Sequence, residues 1–208
     1  MANKFRDYSL RSHVMNKNIE DLSSDIGVIG GSRTGRNTLC ERFGRLDQGR
    51  ITEKLKRCHC RYWCIDHSKI RIEGKIGTTL LRVHLFFFKS KDRPPYYEDL
   101  LKKLNVIIFL FDLNRRKSTL AHAGRFLKSI KSDRVKREEI MPPYIFVGNK
   151  KDKRLSKNSA YVFHEKARTK ALGKYEALQY FECSAKLSLG CFALARDIMI
   201  NYIPPRES

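Results

Sequence analysis

The sequence predicts an α/β fold, a mostly parallel sheet with helices on both faces, and three observations carry that prediction. Short apolar runs alternate along the chain with segments of helical period. One run, Val106-Ile107-Ile108-Phe109-Leu110-Phe111, is continuously apolar, as strands buried on both faces are. Glycine-rich or polar loops follow strand-like segments at residues 30–38, 149–152 and 184–186. Strands separated by helices join into a parallel sheet through right-handed connections.

The elements follow in order. Residues 1–24 are polar and mixed in charge and are expected to form a flexible extension. Ile26-Gly27-Val28-Ile29 is a strand entering a glycine-rich turn, and a short helix is expected over 36–43. Residues 70–75 form one arm of a hairpin turning at Glu73-Gly74, with the return over 79–88. Residues 105–112 form the buried strand. Leu120, Ala123, Leu127 and Ile130 fall at three- and four-residue spacing, the stripe of a one-sided helix. Residues 128–139, rich in Lys and Arg, read as a solvated connection. A strand at 144–148, a helix at 160–171 and a last strand at 180–184 come next. The closing helix presents Phe192, Ala195, Met199 and Ile203 on one face. One domain over 25–203 and a short tail, 204–208, are expected, with no internal repeat.

Composition bounds the partners. Lys and Arg number 43 against 22 Asp and Glu, a formal charge of +21, which favours acidic protein surfaces or nucleic acid. An apolar fraction of 41% suits a globular core. No signal peptide is evident, and no apolar run approaches the ~18 residues of a membrane span. The C-terminus, Pro204-Pro205-Arg206-Glu207-Ser208, lacks a prenylation box, so no lipid anchor is evident. Six cysteines without a secreted framework suggest a reducing interior, and a cytoplasmic location is expected.

Three motifs carry chemistry. Gly30-Gly31-Ser32-Arg33-Thr34-Gly35-Arg36-Asn37-Thr38 has the glycine spacing of a phosphate cradle between strand and helix. Its glycines let backbone N–H groups face a phosphate, and the helix N-terminus adds its positive end. Arg36 stands where Lys is usual, and Asn37 stands where a hydroxyl would hold Mg²⁺. Asn37 is the one metal candidate here, and Thr38 lies one position late. The alternative is an ordinary glycine turn.

Asn149-Lys150-Lys151-Asp152 follows a buried strand, the place where open α/β sheets bind ligands. An Asp carboxylate there accepts from the N1–H and exocyclic amino group of guanine, a pattern adenine does not offer. Asn149 is expected to reach the other edge of the base, and the Lys150 stem to lie along its face. In Glu182-Cys183-Ser184-Ala185-Lys186, the Ala185 N–H is expected to meet the guanine O6. Ser184 would support the Asp152 loop, and Lys186 could cover the base.

On these motifs the chain resembles the Ras-like small GTPases over residues 25–203, with residues 147–152 and 180–186 most similar to the Rho branch. The resemblance implies a P-loop small GTPase (Ras-like) fold with a six-stranded sheet and about five helices. It also implies GTP or GDP as ligand, Mg²⁺, and effector or regulatory proteins as partners of a signalling switch.

The hydrolytic parts depart from that pattern. Phe86-Phe87-Phe88-Lys89-Ser90 stands where an Asp-x-x-Gly and a following Gln should coordinate Mg²⁺, sense the γ-phosphate and orient water. Asp92 is the nearest carboxylate, followed by the stiff Arg93-Pro94-Pro95-Tyr96-Tyr97. Thr52 is the only Thr between the first helix and the hairpin, and it lies early. Cys58, Cys60 and Cys64 with His59 and His67 match no common zinc spacing, so free thiols in a hairpin arm are expected. The function expected is a guanine-nucleotide switch with weak or lost GTP hydrolysis. The alternatives are a pseudo-GTPase scaffold in a larger assembly, or a basic module for RNA or acidic protein.

Overall fold

The strand β5 (Val106–Asp112) lies inside a sheet and every one of its residues is buried. Its side chains alternate between two cores, as the two-residue period of a strand demands. Val106, Ile108 and Leu110 enter one core; Ile107, Phe109 and Phe111 enter the other. The structure, a computed structural model, describes residues 22–45, 50–56, 60–72, 75–86, 97–115, 118–155 and 163–202.

Around β5 stand β1 (Leu22–Gly30), β2 (Arg50–Lys56), β3 (Cys60–Ile72), β4 (Lys75–Phe86), β6 (Tyr144–Asn149) and β7 (Gln179–Glu182). They form a seven-stranded sheet in the order β2-β3-β4-β1-β5-β6-β7. From β4 to β7 every pairing is parallel, and β3 runs antiparallel to both β2 and β4. Six strands are implied by the resemblance, so the sheet has one more. The added strand is β2, which precedes the expected hairpin. Its composition, Arg50-Ile51-Thr52-Glu53-Lys54-Leu55-Lys56, is the charged one of a protected sheet edge, which gives little apolar signal. Thr52 falls at its register shift between Ile51 and Glu53.

Helices cover both faces. α1 (Arg36–Phe43) and α5 (Cys191–Asn201) supply Leu39, Phe43, Leu194 and Ile198 to the first core. The second core takes Leu101 from α2 (Tyr97–Lys103), Leu127 and Ile130 from α3 (Ser118–Lys136) and Ala167 from α4 (His164–Thr169). Phe146 lies between the Phe109 ring, centroids 5.2 Å apart, and the Tyr175 ring, also at 5.2 Å.

Several expected bounds move. β1 begins at Leu22, so residues 22–24 belong to the sheet rather than the extension. Residues 128–136 are helical, because α3 runs on to Lys136. Lys and Arg are good helix formers, and Arg134 turns inward to Glu139 Oε2 at 3.1 Å. After α4 the chain widens into a π-type turn, Lys170–Lys174, closed by Tyr175 N–H on the Lys170 carbonyl at 2.9 Å. The buried face of α5 is Cys191, Leu194, Ala195, Ile198 and Met199, while Phe192 is exposed. Residues 1–21, 87–96, 160–162 and 203–208, with Cys58 and His59, lie outside the described residues. Ser90, Asp92 and the Arg93–Tyr96 stretch are among them. Cys60, Cys64 and His67 fall within β3, described by its backbone. Among the described residues no group of three potential metal-ligating side chains comes together, and no helix is long and apolar enough to cross a membrane.

Candidate nucleotide site

β1 lies between β4 and β5, where the order of connection reverses, so its carboxyl end opens the crevice of a doubly wound sheet. Gly30 ends that strand. A Cβ there would lie 2.6 Å from the Leu110 carbonyl oxygen, so only glycine lets β1 and β5 approach this closely. Gly35, at φ +93°, is the N-cap of α1, and a Cβ on it would collide with Asn149 Nδ2. Arg33 is also left-handed at φ 61°. Such turns bring successive backbone N–H groups together into an anion-binding concavity. Thr34 is buried and its Oγ1 donates to the Gly31 carbonyl at 3.0 Å. α1 carries no side-chain cap and no acidic residue in its first turn, which leaves its positive end suited to an anion.

The remaining residues of this loop divide by exposure. Ser32, Arg33 and Thr38 are exposed, so the Thr38 hydroxyl is not gathered with the loop. Arg36 is 8% exposed, and its charge opposes the burial that pushes the Cys40 thiol up. Asn37 holds its Oδ1 buried without a hydrogen-bond partner.

On the base side, β6 delivers Asn149 into the centre of the site, 1% exposed. Its Nδ2 donates to the Thr34 carbonyl at 2.9 Å. Its Oδ1 accepts from Lys150 N–H at 2.7 Å, Ala185 N–H at 3.0 Å and the Cys183 thiol at 3.7 Å. Asn149 is therefore a staple between three loops. One N–H of its Nδ2 is used on the Thr34 carbonyl, and an amide nitrogen carries two. The Ala185 N–H, expected to meet guanine O6, is held by the same side chain.

Asp152 opens a short 3₁₀ turn, Lys151–Leu155, and accepts from Ser184 Oγ at 2.5 Å on Oδ1. Lys150, left-handed at φ 68°, bridges to Asp112 Oδ2 at 2.7 Å. Asp112, at the end of β5, is buried and also accepts from Asn114 N–H at 2.9 Å. Lys186 is exposed at the rim. Behind these loops Glu182 gathers Arg154 through both guanidinium nitrogens, Tyr180 Oη at 2.6 Å and His164 Nδ1 at 3.2 Å. Burial pushes the Glu182 carboxyl up, but the bonds from Arg154 and Tyr180 outweigh it and hold it below the usual carboxylate range.

The model of the Ras family matches residues 95–199, just over half of the 208-residue chain. This chain belongs to the Ras family. No curated protein matches it. The matched span holds the loops at 149–152 and 184–186, whereas the glycine-rich loop at 30–38 precedes it. As a Ras-family member the chain is a small-GTPase-like protein whose ligand class is guanine nucleotide, usually held with Mg²⁺. The phosphate cradle fits such a ligand through the two required glycines and the uncapped helix end. For the metal, the orphaned Asn37 Oδ1 offers one oxygen of the kind Mg²⁺ takes.

Three contacts of this region were not legible in the sequence, although Thr34 itself was placed in the glycine-rich loop. Arg42 gave only the signal of a basic residue in the last helical turn, yet it reaches across to the 184–186 loop. Thr34 acts through its carbonyl, which any residue would supply. Asp112 was visible as the carboxylate ending an apolar strand, but not its pairing with Lys150.

Proposed function

We propose that the protein is a guanine-nucleotide-dependent switch of the Ras family with weak or lost GTP hydrolysis, formed by a single domain that takes in β1 to α5. The observation that carries this reading is the Ser184–Asp152 bond at 2.5 Å. It fixes one carboxylate oxygen and leaves acceptor capacity at a partly exposed residue, as recognition of N1–H and the 2-amino group requires. Asn149, Lys150, Asp152, Ser184, Ala185 and Lys186 would form the base side. Residues 30–38, with Arg36 as the buried cation, would hold the phosphates, and Asn37 would take part in holding Mg²⁺. That ion, when bound, neutralises phosphate charge. Catalysis in this class is mostly positioned charge on phosphate and metal. The Phe86-Phe87-Phe88-Lys89 segment supplies none of the usual groups, so turnover should suffer more than binding.

Purification without added nucleotide, followed by denaturation and identification of what is released, tests this. Guanine nucleotide in near one-to-one yield, lost in Asp152→Asn, supports the switch. A protein that is empty and ignores added GTP and GDP sinks it.

One observation favours the scaffold reading in that event. The Asn149 amide bonds Thr34, Lys150 and Ala185, so the three loops hold each other in place through protein groups alone. A pseudo-GTPase built this way would remain folded when empty. Effector or regulatory proteins are the partners of the switch. Acidic surfaces or nucleic acid are the partners suggested by the +21 charge, and binding that falls steeply with salt would reveal them.

A further inference from the structure

We propose that Cys183 and Cys191 form a reversible modification site, a dithiol that a hydroperoxide oxidises to a disulfide joining the end of β7 to the first turn of α5. Both are free thiols, and both are buried in the same core. The chain between them folds back on itself. Ser184 N–H bonds the Leu189 carbonyl at 2.8 Å, which pairs those two residues in an antiparallel bridge. Gly190 then passes so close to Cys183 that a Cβ on it would lie 3.5 Å from the Cys183 Cα. Cys191 follows, and its Sγ donates back across the turn to the Ser184 carbonyl at 3.6 Å. The two thiols come within hydrogen-bonding reach of each other.

Their surroundings separate two roles. The hydrogen bond with Cys183 holds the Cys191 thiol below its ordinary range against the effect of burial, and the Arg42 charge acts in the same direction. That charge is brought to the turn by the Arg42 bonds to the Ala185 and Lys186 carbonyls, at 2.8 and 2.7 Å. The same thiol–thiol hydrogen bond, together with burial, pushes the Cys183 thiol up. Cys191 is therefore the attacking thiolate, and Cys183 the thiol that closes the bridge.

The chemistry balances with one peroxide. The Cys191 sulfur takes one peroxide oxygen as the O–O bond breaks. The other oxygen leaves as hydroxide and picks up a proton as water, so Cys191 becomes the sulfenic acid. The Cys183 sulfur then attacks Cys191 Sγ, the S–O bond breaks, and a second water leaves with the Cys183 proton. Two thiols are oxidised to one disulfide, and the peroxide is reduced to two waters. A small dithiol reverses the bridge by exchange. Oxidation takes the Cys183 donor away from Asn149 Oδ1, 3.7 Å from it in the reduced protein, and brackets residues 184–190 covalently.

The test is a peptide map of the full chain after exposure to hydrogen peroxide. Trypsin cuts after Lys174, Lys186 and Arg196, so the two cysteines fall in separate peptides, 175–186 and 187–196. Remaining thiols are blocked with iodoacetamide in denaturant before digestion. The expected product is these two peptides joined, lighter than their sum by two hydrogens and parted by dithiothreitol. Cys183→Ser should stop at the sulfenic acid, trapped by dimedone on Cys191, and Cys191→Ser should leave Cys183 a thiol. Sulfinic acid at either residue without the joined peptide overturns the proposal, as does a bridge to another cysteine or a pair of unreacted thiols. The wild-type map decides by itself if either variant does not fold.

Discussion

The Asn149 side-chain amide donates to the Thr34 carbonyl at 2.9 Å, joining residues 115 apart in the chain. The same amide carries Ala185 N–H on its oxygen. A single buried side chain thus fixes the distance between the glycine-rich loop and the loops at 149–152 and 184–186.

Removing this staple should cost folding free energy. Asn149→Ala leaves the Thr34 carbonyl and the Ala185 N–H without their partner, and a loss of about 2–4 kcal/mol is expected. Urea unfolding should show a lower midpoint with an unchanged slope. An unchanged midpoint would mean that the loops are held by other contacts.

Two of the three glycines in the loop at 30–38, Gly35 and Gly31, should separate cleanly. Gly35→Ala places a Cβ at φ +93° against Asn149 Nδ2, so a loss of about 1–3 kcal/mol is expected. At Gly31 the nearest atoms to a new Cβ lie 3.9 Å away, so Gly31→Ala should stay within about 0.5 kcal/mol of wild type. Thermal unfolding of both variants checks the contrast, and equal losses would contradict it.

Acid should reach the molecule through Glu182. Its folded-state pKa lies below its ordinary value of 4.5, burial being outweighed by the Arg154 and Tyr180 bonds. A carboxylate lowered in this way contributes stability that is complete above the ordinary value and is lost as pH falls through the lowered one. Wild type should therefore lose stability below about pH 4.5, and Glu182→Gln should flatten that limb while starting from a lower plateau. Denaturant midpoints measured across this range give the answer; parallel curves would remove Glu182 from the account.

Asp152→Asn should change the base that is held. The Asn side chain presents one donor and one acceptor, which suits xanthine, where a carbonyl replaces the 2-amino group. A site left with mispaired polar groups rejects its old ligand by about 10²-fold or more. Competition between GDP and xanthosine diphosphate should reverse its preference. Retained preference for GDP would show that Asp152 does not face the base.

Much of the framework was legible because it rests on local, repeating chemistry. The apolar continuity of residues 106–111 marked a strand buried on both faces, and Leu120, Ala123, Leu127 and Ile130 marked the buried stripe of α3. Gly35 was legible too, through its spacing from Gly30. β2 was not, since a charged edge strand is held by backbone pairing and leaves little apolar signature. Nor was the helical character of residues 128–136, whose Lys and Arg suit a solvated connection and a helix equally well until Arg134 is seen turned inward.

Sequence by itself determined that this chain is an α/β protein with glycine and Asn-Lys-x-Asp loops at strand ends, because strand period, helix period and glycine spacing are encoded within a few residues. Only the tertiary structure decided who bonds to whom across those loops. Asn149 is engaged by Thr34 and Ala185, Lys150 by Asp112, and the two carbonyls of Ala185 and Lys186 by Arg42. Those partners are brought together by the order of the strands, and their hydrogen bonds depend on direction and distance in space.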